Sequence, residues 1–124
     1  MIKKVLVVED STLMRTMLHD ALKKEGLIVY DAANGRNGLS SAKEVSPDLI
    51  VLDVIMPVMD GMAMYDELQK QDWGKQIPVI MLTTSEDEAV LAWIDERGLE
   101  SIKKDDRALE ELPRRVLEKL GISA

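Results

Sequence analysis

No cysteine occurs in the 124-residue chain, which excludes disulfides, thiolate metal sites and cysteine nucleophiles. Phenylalanine is also missing, and tryptophan and tyrosine number only 2 each. The core must therefore be filled by Val, Leu, Ile and the 8 methionines, whose thioethers pack adaptably. A basic surplus is lacking too. The formal net charge of -7 argues against direct nucleic-acid binding, because no excess of Lys and Arg stands ready to replace phosphate counterions. No apolar run reaches membrane-spanning length, and the opening MIKKVLVVED turns acidic too soon for a signal peptide. A soluble, cytoplasmic protein without membrane insertion is expected. The length suits a single domain over 1–124, able to bury roughly two-thirds of its unfolded surface.

What is present alternates. KKVLVV (3–8) is an aliphatic, β-branched run of the kind that forms a strand covered on both faces. Ser11 can cap the helix that Leu13, Met14, Met17, Leu18, Ala21 and Leu22 mark, and Gly26 can end it. Residues 27–33 read as a second strand. NGRNG (34–38) reads as a turn before a short helix with Leu39 and Ala42, which Ser46-Pro47-Asp48 breaks. Leu49–Leu52 is a third strand. Met64, Tyr65 and Leu68 mark a helix after Gly61, and IPVIMLTT is a fourth strand with Pro78 at its start. Ala89, Val90, Trp93 and Ile94 mark another helix closed by Gly98, followed by a charged fifth strand around Ser101–Lys103. Leu112, Val116, Leu117 and Leu120 mark the last helix. Pro113 lacks an N–H and crowds the preceding turn, so it is placed near the first turn of a short helix, with 106–111 as a turn or a loose helical lead-in.

Five such alternations predict an α/β fold, a doubly wound five-stranded parallel sheet with helices on both faces. Ligands in such sheets bind beyond the carboxyl ends of the strands. Those ends carry Glu9 and Asp10 after the first strand, Asp53 on the third, Thr83 and Thr84 on the fourth, and Lys103 and Lys104 on the fifth. Taken singly, each has a plain structural reading: helix capping, a turn, a good strand residue, a solvated strand end. Together they form a set. Three convergent carboxylates repel one another without a cation, and hard oxygen ligands with no His or Cys among them suit Mg²⁺.

Through VLVVEDS, LIVLDVIMPVMDG and IPVIMLTT, the chain resembles the receiver domain of two-component response regulators, in particular stand-alone chemotaxis regulators. The resemblance runs over essentially the whole length, and the D-x-x-M-P-x-x-D-G segment is its specific part. It implies a flavodoxin-like sheet in the order 2-1-3-4-5. Asp53 is implied as phosphoacceptor, and Glu9, Asp10, Asp53 and the backbone carbonyl of Ile55 as the Mg²⁺ ligands. Thr83 is implied as the switch hydroxyl. Lys104 is implied as the phosphate ion pair, with Lys103 as the alternative. The implied donor is a histidine kinase or phosphotransfer protein, and the output is an altered face offered to a downstream protein. The chain would act as a signalling switch, catalysing only its own phosphorylation and dephosphorylation.

The fifth strand departs from the family pattern. SIKKDD has Ser101 or Ile102 where an aromatic residue is usual, which slightly favours a second reading, a degenerate, non-phosphorylated receiver serving as a protein-interaction module, whereas the intact set of Glu9, Asp10, Asp53 and Thr83 disfavours it. A hydrolase using an aspartyl phosphate would want a second carboxylate two residues after Asp53, where Ile55 stands. Ile55 motivates an expectation of slow self-dephosphorylation, and Thr84 is bulkier than the residue common at its position. His19 is expected to be exposed and Trp93 to pack its helix. NGRNG lacks the G-x-G-x-x-G pattern of a dinucleotide site.

Overall fold

The structure is a computed structural model that describes residues 2–84 and 86–122. Five parallel strands, β1 (Lys4–Val8), β2 (Ile28–Ala32), β3 (Leu49–Asp53), β4 (Val79–Thr83) and β5 (Glu100–Lys103), pair in the order β2-β1-β3-β4-β5. Between and after them run α1 (Thr12–Lys23), α2 (Gly35–Val45), α3 (Gly61–Gln69), α4 (Glu88–Glu96) and α5 (Ala108–Lys119). This is the expected doubly wound order. The inner strands are apolar along their length because both faces are covered.

Strand alternation divides the core in two. Val5, Val7, Leu49, Val51, Ile80, Leu82 and Ile102 face a layer built from Leu18 and Leu22 of α1 with Leu112, Val116 and Leu117 of α5. Leu6, Val8, Ile50, Leu52 and Met81 face the other way, toward Ala42 of α2, Met64 and Leu68 of α3 and Ile94 of α4. Side-chain caps start most helices: Ser11 accepts from the Met14 N–H, Asn34 from Asn37, Asp60 from Ala63 and Asp87 from Ala89.

Two local expectations are corrected. NGRNG is not a free turn. Asn34 caps α2, Gly35 is its first residue, and both Gly35 and Gly38 are buried. A Cβ on Gly35 would collide with the Met59 carbonyl oxygen, and one on Gly38 would lie 2.9 Å from Val8 Cγ2 and from Met64 Sδ. Close packing, not turn geometry, selects these glycines. The last helix is also longer than expected. It begins at Ala108 with no lead-in after Arg107, and Pro113 lies inside it. Burial of Ala108, Leu112, Val116 and Leu117 outweighs the missing Pro113 N–H, at several apolar side chains against about 3 kcal/mol.

Candidate functional site

The strand register brings the chemistry together. Val8 pairs with Leu52, Asp53 with Leu82 and Thr83 with Lys103. Glu9 and Asp53 therefore emerge side by side, and each continues the alternation that faces α1 and α5, as does Lys104 beyond Ile102. Glu9, Asp53 and Thr83 are the buried polar side chains of the described residues, while Asp10 is exposed.

Glu9 is held from several directions. Its N–H donates to the Ala32 carbonyl (3.0 Å) and its carbonyl accepts from Arg15 Nη1 (2.8 Å). Its Oε1 accepts from the Ser11 N–H (3.1 Å) and from Lys104 Nζ (3.1 Å). Oε2 is 2.9 Å from the same ammonium but off the hydrogen-bonding direction, so this buried oxygen carries no hydrogen bond. Lys104 also reaches Asp53 Oδ2 at 3.2 Å. Its own N–H donates to the Thr83 carbonyl (3.0 Å), and Asp105 N–H folds back on the Lys103 carbonyl (3.0 Å) to turn the strand end inward. Lys103 points to the other side of the sheet and pairs with exposed Glu86 at 3.2 Å.

One ammonium does not neutralise two buried carboxylates. Burial and then the Glu9 charge push the Asp53 carboxyl up to about 7, against the pull of Lys104. For Lys104, burial works to lower the pKa, but hydrogen bonding to Glu9 and the two carboxylate charges raise it, so the ammonium is firmly charged.

Glu9, Asp10 and Asp53 each offer an oxygen within 4.8 Å of the others. Glu9 Oε2 has only its ion pair with Lys104, and the Asp10 carboxylate and the Ile55 carbonyl accept no hydrogen bond from the described residues. Open, hard, mostly anionic oxygens with no softer donor fit Mg²⁺.

Thr83 ends β4 at 5% exposure, and Thr84 beside it is exposed. Ile102 is committed to the α1/α5 core, so the half-buried Ser101 occupies the opposite face of β5, where no ring stands. His19 is not free in solvent as expected: Nδ1 contacts Asp31 Oδ2 at 2.9 Å and the ring is half-buried. Trp93 packs edge-on against Tyr65 with ring centroids 5.5 Å apart, and the Arg97 guanidinium lies 4.0 Å over its ring. Arg15, which pins the Glu9 backbone, went unread in the sequence. Its signal is its place one turn into the helix that follows the acidic pair.

A family model described as the response regulator receiver domain matches residues 5–117. Chemotaxis protein CheY of Halobacterium salinarum is 39% identical over 84 residues, 68% of this chain and 68% of its own length. Transcriptional regulatory protein AfsQ1 of Streptomyces coelicolor is 37% identical over 114 residues, and this chain, 92% covered, spans about half (47%) of that relative. Among solved structures, the receiver domain of sensor histidine kinase PA1611 from Pseudomonas aeruginosa, with a magnesium ion coordinated in its active site cleft, superposes with TM-score 0.86 at 26% identity over 98% of this chain and 99% of that one. Fold, strand-end carboxylates and family match agree: the chain belongs to the receiver domains of response regulators, the signalling domains of two-component systems.

Proposed function

We propose that this receiver is an Mg²⁺-assisted phospho-switch in which Asp53 accepts a phosphoryl group from the phosphohistidine of a histidine kinase or phosphotransfer protein. The observation that carries this reading is the juxtaposition of buried Asp53 with Glu9, Asp10 and Lys104 at one sheet edge. In the reaction an Asp53 oxygen forms a new P–O bond as the donor's P–N bond breaks. The imidazole leaves with the electron pair and is protonated, and a mixed anhydride remains on Asp53. A bound Mg²⁺, held by Glu9, Asp10, Asp53 and the Ile55 carbonyl, supplies charge cancellation on the phosphoryl oxygens and favours the ionised form of Asp53.

Lys104 offsets part of the charge of the carboxylate pair before reaction and ion-pairs with the phosphate afterwards. The Thr83 hydroxyl turns to the new acceptor oxygens, and the rearranged surface is read by a downstream protein. The location is cytoplasmic in this reading. No described helix is long and apolar enough to cross a membrane.

The test is incubation with Mg²⁺ and acetyl phosphate followed by intact mass measurement. One phosphoryl adduct, abolished in Asp53→Asn, is expected. No adduct, combined with no Mg²⁺-dependent thermal shift, would assign the chain to the non-phosphorylated interaction modules, a class with which its ring-free β5 is compatible.

A further inference from the structure

One arginine holds the turn that carries the acidic pair. Between Val8, the last residue of β1, and Thr12, the first of α1, the chain passes through Glu9, Asp10 and Ser11. The Glu9 N–H donates to the Ala32 carbonyl (3.0 Å), and the Ser11 N–H donates to Glu9 Oε1 (3.1 Å). The peptide unit joining Glu9 to Asp10 is held differently. Its N–H, on Asp10, has no acceptor among the described residues. Its carbonyl, on Glu9, has a single donor there, Arg15 Nη1 at 2.8 Å.

A peptide unit is planar, so the direction of that carbonyl also sets where the next Cα and its side chain stand. The side chain that follows is Asp10, whose exposed carboxylate lies within 4.8 Å of those of Glu9 and Asp53. Arg15 grips from a firm base. It stands one turn before Leu18 and two before Leu22 on α1, both fully buried, and its N–H donates to the Ser11 carbonyl at 2.8 Å. One turn further on, His19 ties α1 to Asp31 of β2 at 2.9 Å. The guanidinium does not act as a counter-charge. It forms no ion pair among the described residues, and the charges that bear on the Asp53 carboxyl are those of Glu9 and Lys104. A half-buried cation is committed to a neutral carbonyl, in a charge-assisted bond stronger than water would make.

We propose that Arg15 is a positioning residue for the cation site: by holding the Glu9 carbonyl it fixes the plane of the Glu9–Asp10 peptide unit and keeps the Asp10 carboxylate beside those of Glu9 and Asp53. This rests on the reading of Glu9, Asp10 and Asp53 as Mg²⁺ ligands. Without the guanidinium the peptide unit is free to rotate and bond to water, and apparent affinity falls with the fraction of molecules that keep Asp10 in place. A counter-charge role makes the opposite prediction, because removing a cation from the neighbourhood of three carboxylates strengthens their hold on another.

Wild type, Arg15→Met, Asp10→Ala and the double variant are to be melted in chelator and then titrated with Mg²⁺, binding being followed by backbone amide resonances. Methionine keeps an unbranched apolar stem and removes the donor. Arg15→Met is expected to bind Mg²⁺ about three- to tenfold more weakly than wild type. In the Asp10→Ala background the same substitution is expected to change affinity by less than about twofold, because the group that Arg15 positions is gone. Mg²⁺ affinity equal to wild type in Arg15→Met, with only the metal-free melting lowered, overturns the inference and leaves Arg15 a structural residue. Tighter binding in Arg15→Met overturns it too, as does an equal loss in both backgrounds. A wild type that takes no Mg²⁺ overturns the cation reading itself and is thereby distinguished.

Discussion

The Lys104 ammonium lies 3.2 Å from Oδ2 of Asp53, across 51 positions of sequence, and its side chain is only 14% exposed. It is the one cation paired with the Asp53 and Glu9 carboxylates among the described residues.

Removal of that charge leaves two buried carboxylates facing each other. Lys104→Met is expected to lower metal-free stability by about 3–5 kcal/mol, the range for breaking a buried pair. Lys103→Met removes only an exposed pair with Glu86 and should change stability by about 1 kcal/mol or less. Urea titrations of both variants in chelator test the contrast, and equal effects would contradict the assignment of Lys104 to the site.

Asp53 supplies a pH dependence. Its pKa rises from 3.8 unfolded to about 7 folded. Between these values the native protein holds a proton that the unfolded chain has released, so the slope of stability with pH is negative there. The contribution is complete below about pH 4 and is lost as pH rises through about 7. In chelator, Asp53→Asn should match wild type near the lower limit and melt progressively higher toward the upper one. The gap grows at no more than about 1.4 kcal/mol per pKa unit. A pH-independent gap would show that Asp53 does not titrate in that window.

Ile55 presents a 62% exposed apolar side chain two residues beyond Asp53. It offers an attacking water no hydrogen bond, so the aspartyl phosphate is expected to persist for minutes or longer. Ile55→Gln should speed its loss by roughly tenfold by orienting water. Phosphate release after removal of donor measures both rates, and wild-type loss within seconds would refute the expectation.

Pro113 interrupts the hydrogen bonding of α5. Replacement by alanine restores an N–H toward the Leu109 carbonyl and relieves the ring clash, a gain of about 3 kcal/mol. Loss of proline's restraint on the unfolded chain offsets up to about 1 kcal/mol of this. Pro113→Ala should therefore raise the melting temperature, and a decrease would mean that the ring's packing matters more than the bond.

The sheet is legible in the sequence because its inner strands are unbroken aliphatic runs and their ends are acidic, hydroxylic or basic. Two features were illegible for different reasons. The glycines of 34–38 satisfy a distant carbonyl and a distant methionine, which no local pattern announces. Pro113 obeys tertiary burial against its own preference. The choice between Lys103 and Lys104 was readable in principle. Ile102 is the apolar residue of β5, so residue 104 shares its face, as Glu9 shares the face of Val5 and Val7.

Gly61 has a further consequence. The first residue of α3 rests directly on the carbonyl of Asp53 and is bonded to Val54. The reacting aspartate and the start of a helix are thus a single joint, closed by Asp60 at its outer corner. Segment 53–61 therefore behaves as one heritable part. A chimera that exchanges it whole between receivers should keep its geometry, whereas one cut at Pro57 would separate the aspartate from the helix built upon it.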